Sequence, residues 1–469
     1  MWPTYLYRED EMDINPDIFR QYDIRGNVGT DLTEDTVSVL GRAFGAYLAG
    51  GGAKQVSLAS DNRLSSDGFR EIIGEELCKS GLNVVDYGVV PTPVFYSTLF
   101  TGDAGGGVMI TGSHNPPEFN GFKIARGEST IYGDEIQKIR EIAENGRFTV
   151  GKGSIKGGDA RPAYIDYIST NINLGRRVRV AVDCGNGTGG VVVPDLLDRF
   201  GLDYECLYCE PDGNFPNHHP DPTVPKYLKD LVTTVRDGGY ECGIAYDGDA
   251  DRIGVVDEKG NIIWGDKLLI IFARDILLAN PGARVIFEVK CSQALVEAVD
   301  KAGGVPIMYK TGHSLIKSKM KQEGALLAGE MSGHIFFSDR YFGYDDAIYA
   351  SLRLIEIMSR HDGTLSSLLA DVPVYYSTPE IRLESTDKEK FGVVDKIGEY
   401  FKDKYRVIDI DGARIVFDDG WGLVRASNTQ PVLVLRFEAA TEARLKAITA
   451  EVTAALSDVM RRPVQLPEY

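Results

Sequence analysis

Apolar residues along this chain fall into short continuous runs separated by stripes at helical spacing. The runs at 55–61, 82–87 and 107–113 predict three strands, with a helix between the first two. The succession recurs at 179–183, 202–208 and 242–247, and again at 284–290, 304–309 and 325–330. Ahead of the first pass, apolar positions at helical spacing predict a helix over 33–48. Strands that alternate with helices imply a mostly parallel sheet covered on both faces. In each pass the third strand runs into a polar motif, and ligands in such sheets bind beyond the carboxyl ends of the strands. Three related modules are therefore expected, each presenting one chemical loop. The loops are Gly112-Ser113-His114-Asn115, Asp247-Gly248-Asp249-Ala250-Asp251-Arg252 and Gly329-Glu330-Met331-Ser332-Gly333-His334.

The pattern changes near residue 374. Alternation at 375–383 predicts a strand, 388–404 a charged amphipathic helix, and 407–410, 413–417, 422–426 and 432–438 short strands between Asp-Gly and Asn turns. A last helix is expected over about 441–456. The fold class is α/β: three related modules with mixed, mostly parallel sheets, plus a C-terminal α+β domain with a mainly antiparallel sheet. The boundaries expected are 1–158, 159–258, 259–373 and 374–469.

Composition narrows the function. With 469 residues, 43% apolar and 26% charged, the chain has the balance of a globular protein of several domains. A net charge of −18 argues against nucleic-acid or anionic-membrane binding. It leaves room for a small anionic substrate, because a local cluster of Arg and Lys can hold a phosphate. No stretch approaches the ~20 apolar residues of a membrane helix, and residues 1–13 lack the apolar core of a secretion signal. A cytoplasmic location is expected, where the sequon Asn186-Gly187-Thr188 carries no meaning. The six cysteines are scattered and do not suggest a disulfide framework. Cys206 and Cys209 form one CxxC, with too few ligands for structural zinc.

Several motifs carry chemistry. Asp247, Asp249 and Asp251 alternate with Gly248 and Ala250, so a tight loop can fold three carboxylates onto one hard cation such as Mg²⁺ or Ca²⁺. Arg252, standing where an EF-hand loop needs glycine, and strand-like flanks at 243–246 and 253–256 argue against an EF-hand. Only three protein ligands leave positions open for waters and a phosphate oxygen, and Arg252 could add charge to the same phosphate. The stretch Arg425-Ala426-Ser427-Asn428-Thr429-Gln430-Pro431 gathers a guanidinium, hydroxyls and an amide, as a phosphate requires. Glu330 and Ser332 could both reach sugar hydroxyls, and His334 could move protons near neutral pH. Lys290 and His313 end the other two strands of the third pass and would face the same cleft. Ser113 alone reads equally as a nucleophile or as a loop serine.

Together these motifs resemble the α-D-phosphohexomutase family. The resemblance rests on Thr111-Gly112-Ser113-His114-Asn115-Pro116, on the Asp247–Arg252, Gly329–His334 and Arg425–Thr429 motifs, and on supporting segments at 19–26, 212–216 and 343–347. It spans nearly the whole chain. It implies four domains around a central cleft and the interconversion of hexose 1-phosphate and hexose 6-phosphate, of mannose and/or glucose. The route implied is a phosphoserine at Ser113 and a hexose 1,6-bisphosphate, which also serves as activator. Asp247, Asp249 and Asp251, with Ser113, would hold Mg²⁺. Glu330 and Ser332 would hold the sugar; Arg425, Ser427, Asn428 and Thr429 would grip the substrate's own phosphate. Tyr22, Arg25, Lys123, Arg252, Lys290, His313 and His334 match positions that contact substrate or assist proton transfer, with Lys123 and His334 both candidates for the general base. Ser60, before Asp61-Asn62-Arg63, departs from the glycine often found there. The expected partners are small hexose phosphates, and the chain is expected to be a monomer or a weak homo-oligomer. Three alternatives remain: a phosphoglucosamine mutase, a non-catalytic protein that binds a sugar phosphate or a metal, or a phosphatase, which a phosphoserine enzyme becomes when it admits water.

Overall fold

The computed structural model describes residues 4–6, 14–428 and 430–467. Thr429, expected at the distal phosphate, lies outside the described residues.

The first module is built on a seven-stranded sheet. Gln55–Ser60 lies between parallel neighbours Asn83–Val89 and Gly106–Ile110. Phe119–Arg126 returns antiparallel beside Gly106–Ile110, and Ile24–Asn27 pairs antiparallel with it in turn. The central strands read as unbroken apolar runs because both faces are covered. Val56, Leu58, Val108 and Ile110 pack with Phe44 and Ile73 of the helices Glu34–Gly50 and Ser66–Lys79. Ala59 and Met109 point the other way, onto Val94 and Phe95 of Thr92–Thr101.

The next two modules repeat this plan. Arg179–Asp183 lies between the parallel strands Asp203–Leu207 and Cys242–Tyr246, and Ile253–Asp257 returns antiparallel. Arg284–Glu288 lies between Val305–Tyr309 and Leu327–Gly329, and Ile335–Phe337 returns antiparallel. Each chemical loop is thus the connection of a hairpin: the third strand carries the chain out and an antiparallel fourth brings it back. The second sheet also takes in Ile262–Ile263, past the boundary expected at 258, because the turn after Asp257 folds this short strand back on Val255 and Val256.

The helix Ala347–Arg360 is buried along nearly its whole length and packs against strands of the second and third modules, in one continuous core that also takes in Val94, Phe95 and Met109 of the first. The C-terminal unit is a six-stranded antiparallel sheet covered by Lys390–Phe401 and Glu442–Met460. Its edge is two short strands, Tyr376–Ser377 and Ile381–Glu384, rather than one strand over 375–383.

The cysteines correct one expectation. Cys206 and Cys209 are joined in a disulfide. The strand Asp203–Leu207 ends one residue after Cys206, and Tyr208 adopts a left-handed backbone (φ 52°) that turns Cys209 back on it. No hydrophobic period announces such a turn. The other four cysteines are free thiols.

Candidate active site

Ser113 sits at the tip of the first hairpin, buried, with φ 49°. A non-glycine residue holds this conformation only where its surroundings impose it. Arg63 does so. Its guanidinium donates to the carbonyl oxygens of Ser113 (2.7 Å), Asn115 (2.6 Å), Pro116 (2.6 Å) and Phe119 (2.9 Å). Asp61 holds Arg63 by an ion pair of 3.2 Å and accepts the Gly112 N–H at 3.0 Å. A side chain at Gly112 would meet Arg63 at 2.4 Å, so this close approach requires glycine. Arg25, paired with Asp23 at 2.7 Å, donates to Asn115 Oδ1 at 3.0 Å from the other side.

The Ser113 hydroxyl donates to Asp247 Oδ2 at 2.8 Å, across to the second module. Asp247, Asp249 and Asp251 are all buried, and ligand oxygens from the three lie within 4.8 Å of one another. Asp247 Oδ1 accepts the backbone N–H groups of Asp251 and Arg252, each at 3.0 Å, which closes the turn. Burial, then the charges of Asp251 and Asp249, push Asp247 well above the usual carboxylate range. Asp249 Oδ1 is buried without a hydrogen-bond partner. Crowded hard oxygens and one orphaned acceptor fit a divalent cation.

Lys123, on the returning strand Phe119–Arg126, places its ammonium 2.8 Å from Asp249 Oδ2 and against Asp251 Oδ2. Burial opposes its charge, but Asp249 and Asp251 raise its pKa well above the ordinary value. His334 links the second and third modules, with Nδ1 2.7 Å from Glu330 Oε2 and Nε2 3.2 Å from Asp251 Oδ1. Burial works against the imidazolium, yet Asp251 dominates with help from both hydrogen bonds, and the pKa rises to about 9. Burial likewise opposes the Glu330 carboxylate, but His334 holds it down at about 2. The His114 ring, beside Ser113, is held well below its usual pKa by burial and by Arg252 and Arg25. Arg252 stands half-buried between the acidic turn and His334, and Ser332 Oγ lies 3.5 Å from His334 Nδ1.

The third and fourth modules supply the far side. Arg425 is buried and paired with Asp411 at 2.6 Å. Ser427 is buried beside it, its hydroxyl accepting the Gln430 N–H at 3.1 Å. Lys290 pairs with Glu380 at 2.9 Å. The Tyr22 hydroxyl donates to Thr311 O at 2.6 Å and accepts from Asn428 Nδ2 at 2.7 Å, so one side chain of the first module touches the third and the fourth. Its ring lies edge-on to His313, whose Nδ1 is 3.2 Å from Asp345. A cavity of about 450 Å³ opens beside these groups, lined by Gln21, Tyr309, Lys310, Asp411 and Asn428.

Two structural carboxylates and one cation escaped the sequence reading. Arg63 and Asp61 are a short charged pair at the end of a strand, with nothing to mark the loop they hold. Glu288 closes an apolar run; buried, it accepts Lys290 N (2.7 Å), Thr311 Oγ1 (3.1 Å) and Met331 N (3.3 Å) and so ties together the three loops of its module. A carboxylate ending a buried strand is the signal that could have found it.

Comparison with known proteins agrees over most of the chain. Residues 16–150, 162–260 and 264–376 match the phosphoglucomutase/phosphomannomutase alpha/beta/alpha domains I, II and III, and residues 380–455 match the C-terminal domain. The chain is 46% identical over 432 residues to a phosphomannomutase/phosphoglucomutase of Pseudomonas aeruginosa, covering 92% of this chain and 93% of that protein. It is 46% identical over 440 residues to a phosphoglucomutase of Neisseria gonorrhoeae, covering 93% and 95%. Among solved structures it resembles a phosphoglucomutase/phosphomannomutase family protein of Burkholderia thailandensis, with TM-score 0.91, 41% identity and coverage of 97% of this chain and 100% of that one.

Proposed function

The chain belongs to the phosphoglucomutase/phosphomannomutase family, and on that premise we propose a role for each cleft residue. The protein is a phosphohexomutase, an intramolecular phosphotransferase acting on hexose phosphates of mannose and/or glucose. The observation that carries the assignment of its reacting atom is the Ser113 hydroxyl 2.8 Å from Asp247 in a buried carboxylate triplet. Ser113 is the phosphoryl carrier. The phosphoryl group leaves Ser113 Oγ for the free hydroxyl of a hexose 1- or 6-phosphate; the resulting 1,6-bisphosphate turns end for end, and Ser113 Oγ takes the other phosphoryl group. Bisphosphate added from outside serves as activator by rephosphorylating any free Ser113.

Asp247, Asp249 and Asp251, with an oxygen of phosphorylated Ser113, would hold the metal, and we assign Mg²⁺, which suits few protein oxygens with remaining positions left to water and phosphate. When bound, such an ion supplies positive charge to phosphoryl oxygens. Lys123 and Arg252 supply charge from the chain itself. Lys123 and His334 are both cations at neutral pH, so in the resting state either can donate a proton to the serine oxygen as it leaves. Either must first lose its proton to act as base toward the sugar hydroxyl. Glu330 and Ser332 orient the sugar. Arg425, Ser427, Asn428 and Thr429 hold the phosphate that does not react, and Tyr22, Arg25, Lys290 and His313 contact the substrate across the cleft. Among the described residues no helix is long and apolar enough to cross a membrane, and hexose phosphate substrates suit a cytoplasmic enzyme.

A panel of mannose, glucose and glucosamine 1-phosphates, with the matching bisphosphate, tests the substrate class. Turnover of the first two is expected; turnover of glucosamine 1-phosphate alone would assign the chain to the phosphoglucosamine mutases instead.

A further inference from the structure

Behind the acidic turn lies a second cluster, made of sulfur. Cys184 directly follows the strand Arg179–Asp183, and its N–H donates to Leu207 O at 3.1 Å. Its thiol is buried and stands 3.4 Å from Cys209 Sγ, which is itself bonded to Cys206. The three sulfurs lie within 4.8 Å of one another, and no His, Asp or Glu among the described residues joins the group. Cys206 and Cys209 are half-buried, so the cluster has a way in from solvent.

Three sulfur donors without a fourth ligand do not suit zinc, which takes four. They suit a soft centre of three-fold geometry. Electrostatics narrows the choice. Burial, and then the adjacent buried Asp183, push the Cys184 thiol well up, so a ligand that needs three thiolates would gather charge where it is least tolerated. A ligand that condenses with neutral thiols avoids this. We propose that Cys184, Cys206 and Cys209, once the Cys206–Cys209 bond is reduced, form a three-thiol binding site for trivalent arsenic.

The chemistry balances in two steps. A phosphine reductant and one water convert the disulfide to two thiols, and the phosphine leaves as its oxide. Arsenous acid, As(OH)₃, then exchanges its three hydroxyls for three sulfurs. Each thiol proton leaves with a hydroxyl as water, and the product is uncharged. The cluster lies against the acidic turn. Thr188, on the loop that begins at Cys184, donates its N–H to Gly248 O at 2.9 Å, and a Cβ at Gly187 would stand 2.7 Å from that same oxygen. The loop that carries Cys184 therefore backs the turn that carries the three aspartates.

Intact-mass measurement of the full chain tests this, after phosphine treatment and then sodium arsenite. The reduced protein is expected to gain one arsenic and lose three hydrogens; the unreduced protein is expected to gain nothing. Cys184→Ser should retain at most a two-thiol adduct, which keeps one hydroxyl on arsenic and binds about a hundredfold or more weakly for want of the third tether. The triple variant Cys78→Ser, Cys242→Ser and Cys291→Ser should bind as the parent does. Alkylation mapping of the wild type in denaturant, against the reduced protein without arsenite, gives an answer even if a variant fails to fold: Cys184, Cys206 and Cys209 should gain protection together. An adduct on unreduced protein, an unchanged adduct in Cys184→Ser, its loss in the triple variant, or arsenite-dependent protection of any other set of thiols overturns the proposal.

Discussion

At Ser113 a nucleophile is presented in a backbone conformation that its own side chain disfavours. Arg63 holds it there by donating to four loop carbonyls. Its planar fork is what reaches so many acceptors at once; a lysine ammonium cannot. Arg63→Lys is therefore expected to lower kcat about a hundredfold through displacement of the serine, with little change in KM. Steady-state kinetics with glucose 1-phosphate checks this, and a variant with wild-type kcat would show that the loop holds itself. The residues proposed to act on substrate were legible in the sequence, because Ser113, the aspartates and Arg425 stand in motifs whose composition has a chemical reason. Arg63 was not. Its partners are backbone carbonyls 50 or more positions away, and a carbonyl leaves no mark on composition.

Among the elements, the helix Ala347–Arg360 shows how a boundary residue can join modules. Asp346 caps it by accepting Tyr349 N at 2.7 Å and also accepts the hydroxyls of Tyr164 (2.9 Å) and Tyr341 (2.6 Å). Burial outweighs these donors and raises its pKa to about 6. The unfolded value is about 3.9, so the folded pKa is the higher one. Its contribution to stability is then fully present below about pH 4 and is lost as pH rises through 6. The loss is about 3 kcal/mol for a shift of about two units. Asp346→Asn should remove this dependence, so the Tm advantage of wild type over the variant should shrink between pH 4 and 7. A constant or growing advantage would mean that the carboxylate is needed ionised. The alternation of strands and helices was legible because buried strands and amphipathic helices differ in period. The returning strands at 119–126 and 335–337 did not enter the repeat, since they follow polar loops of unequal length. The turn at Tyr208 that closes the disulfide was equally silent.

On the scale of the molecule, the cleft is assembled from four units, the first three of which share one hydrophobic core. Tyr22 spans three of them, with its hydroxyl between Thr311 O and Asn428 Nδ2. Burial raises its pKa to about 12, so it stays a neutral donor over the working range. Tyr22→Phe removes both bonds and keeps the ring. KM for hexose phosphate should rise about fivefold, the worth of roughly one net hydrogen bond, while kcat changes less. An unchanged KM would separate this contact from substrate binding. The arrangement of modules about a cleft followed from the repeat and the family resemblance. The contacts between modules did not, because they join residues hundreds of positions apart.

The central claim is that Ser113 carries the phosphoryl group. Intact mass followed by peptide mapping, on protein incubated with glucose 1,6-bisphosphate and then with glucose 1-phosphate, tests it most directly. One phosphate on Ser113 after the first incubation, passed to the sugar in the second and never acquired by Ser113→Ala, is the predicted result. Turnover without phosphate ever reaching Ser113, or turnover at the wild-type rate in Ser113→Ala, would contradict it.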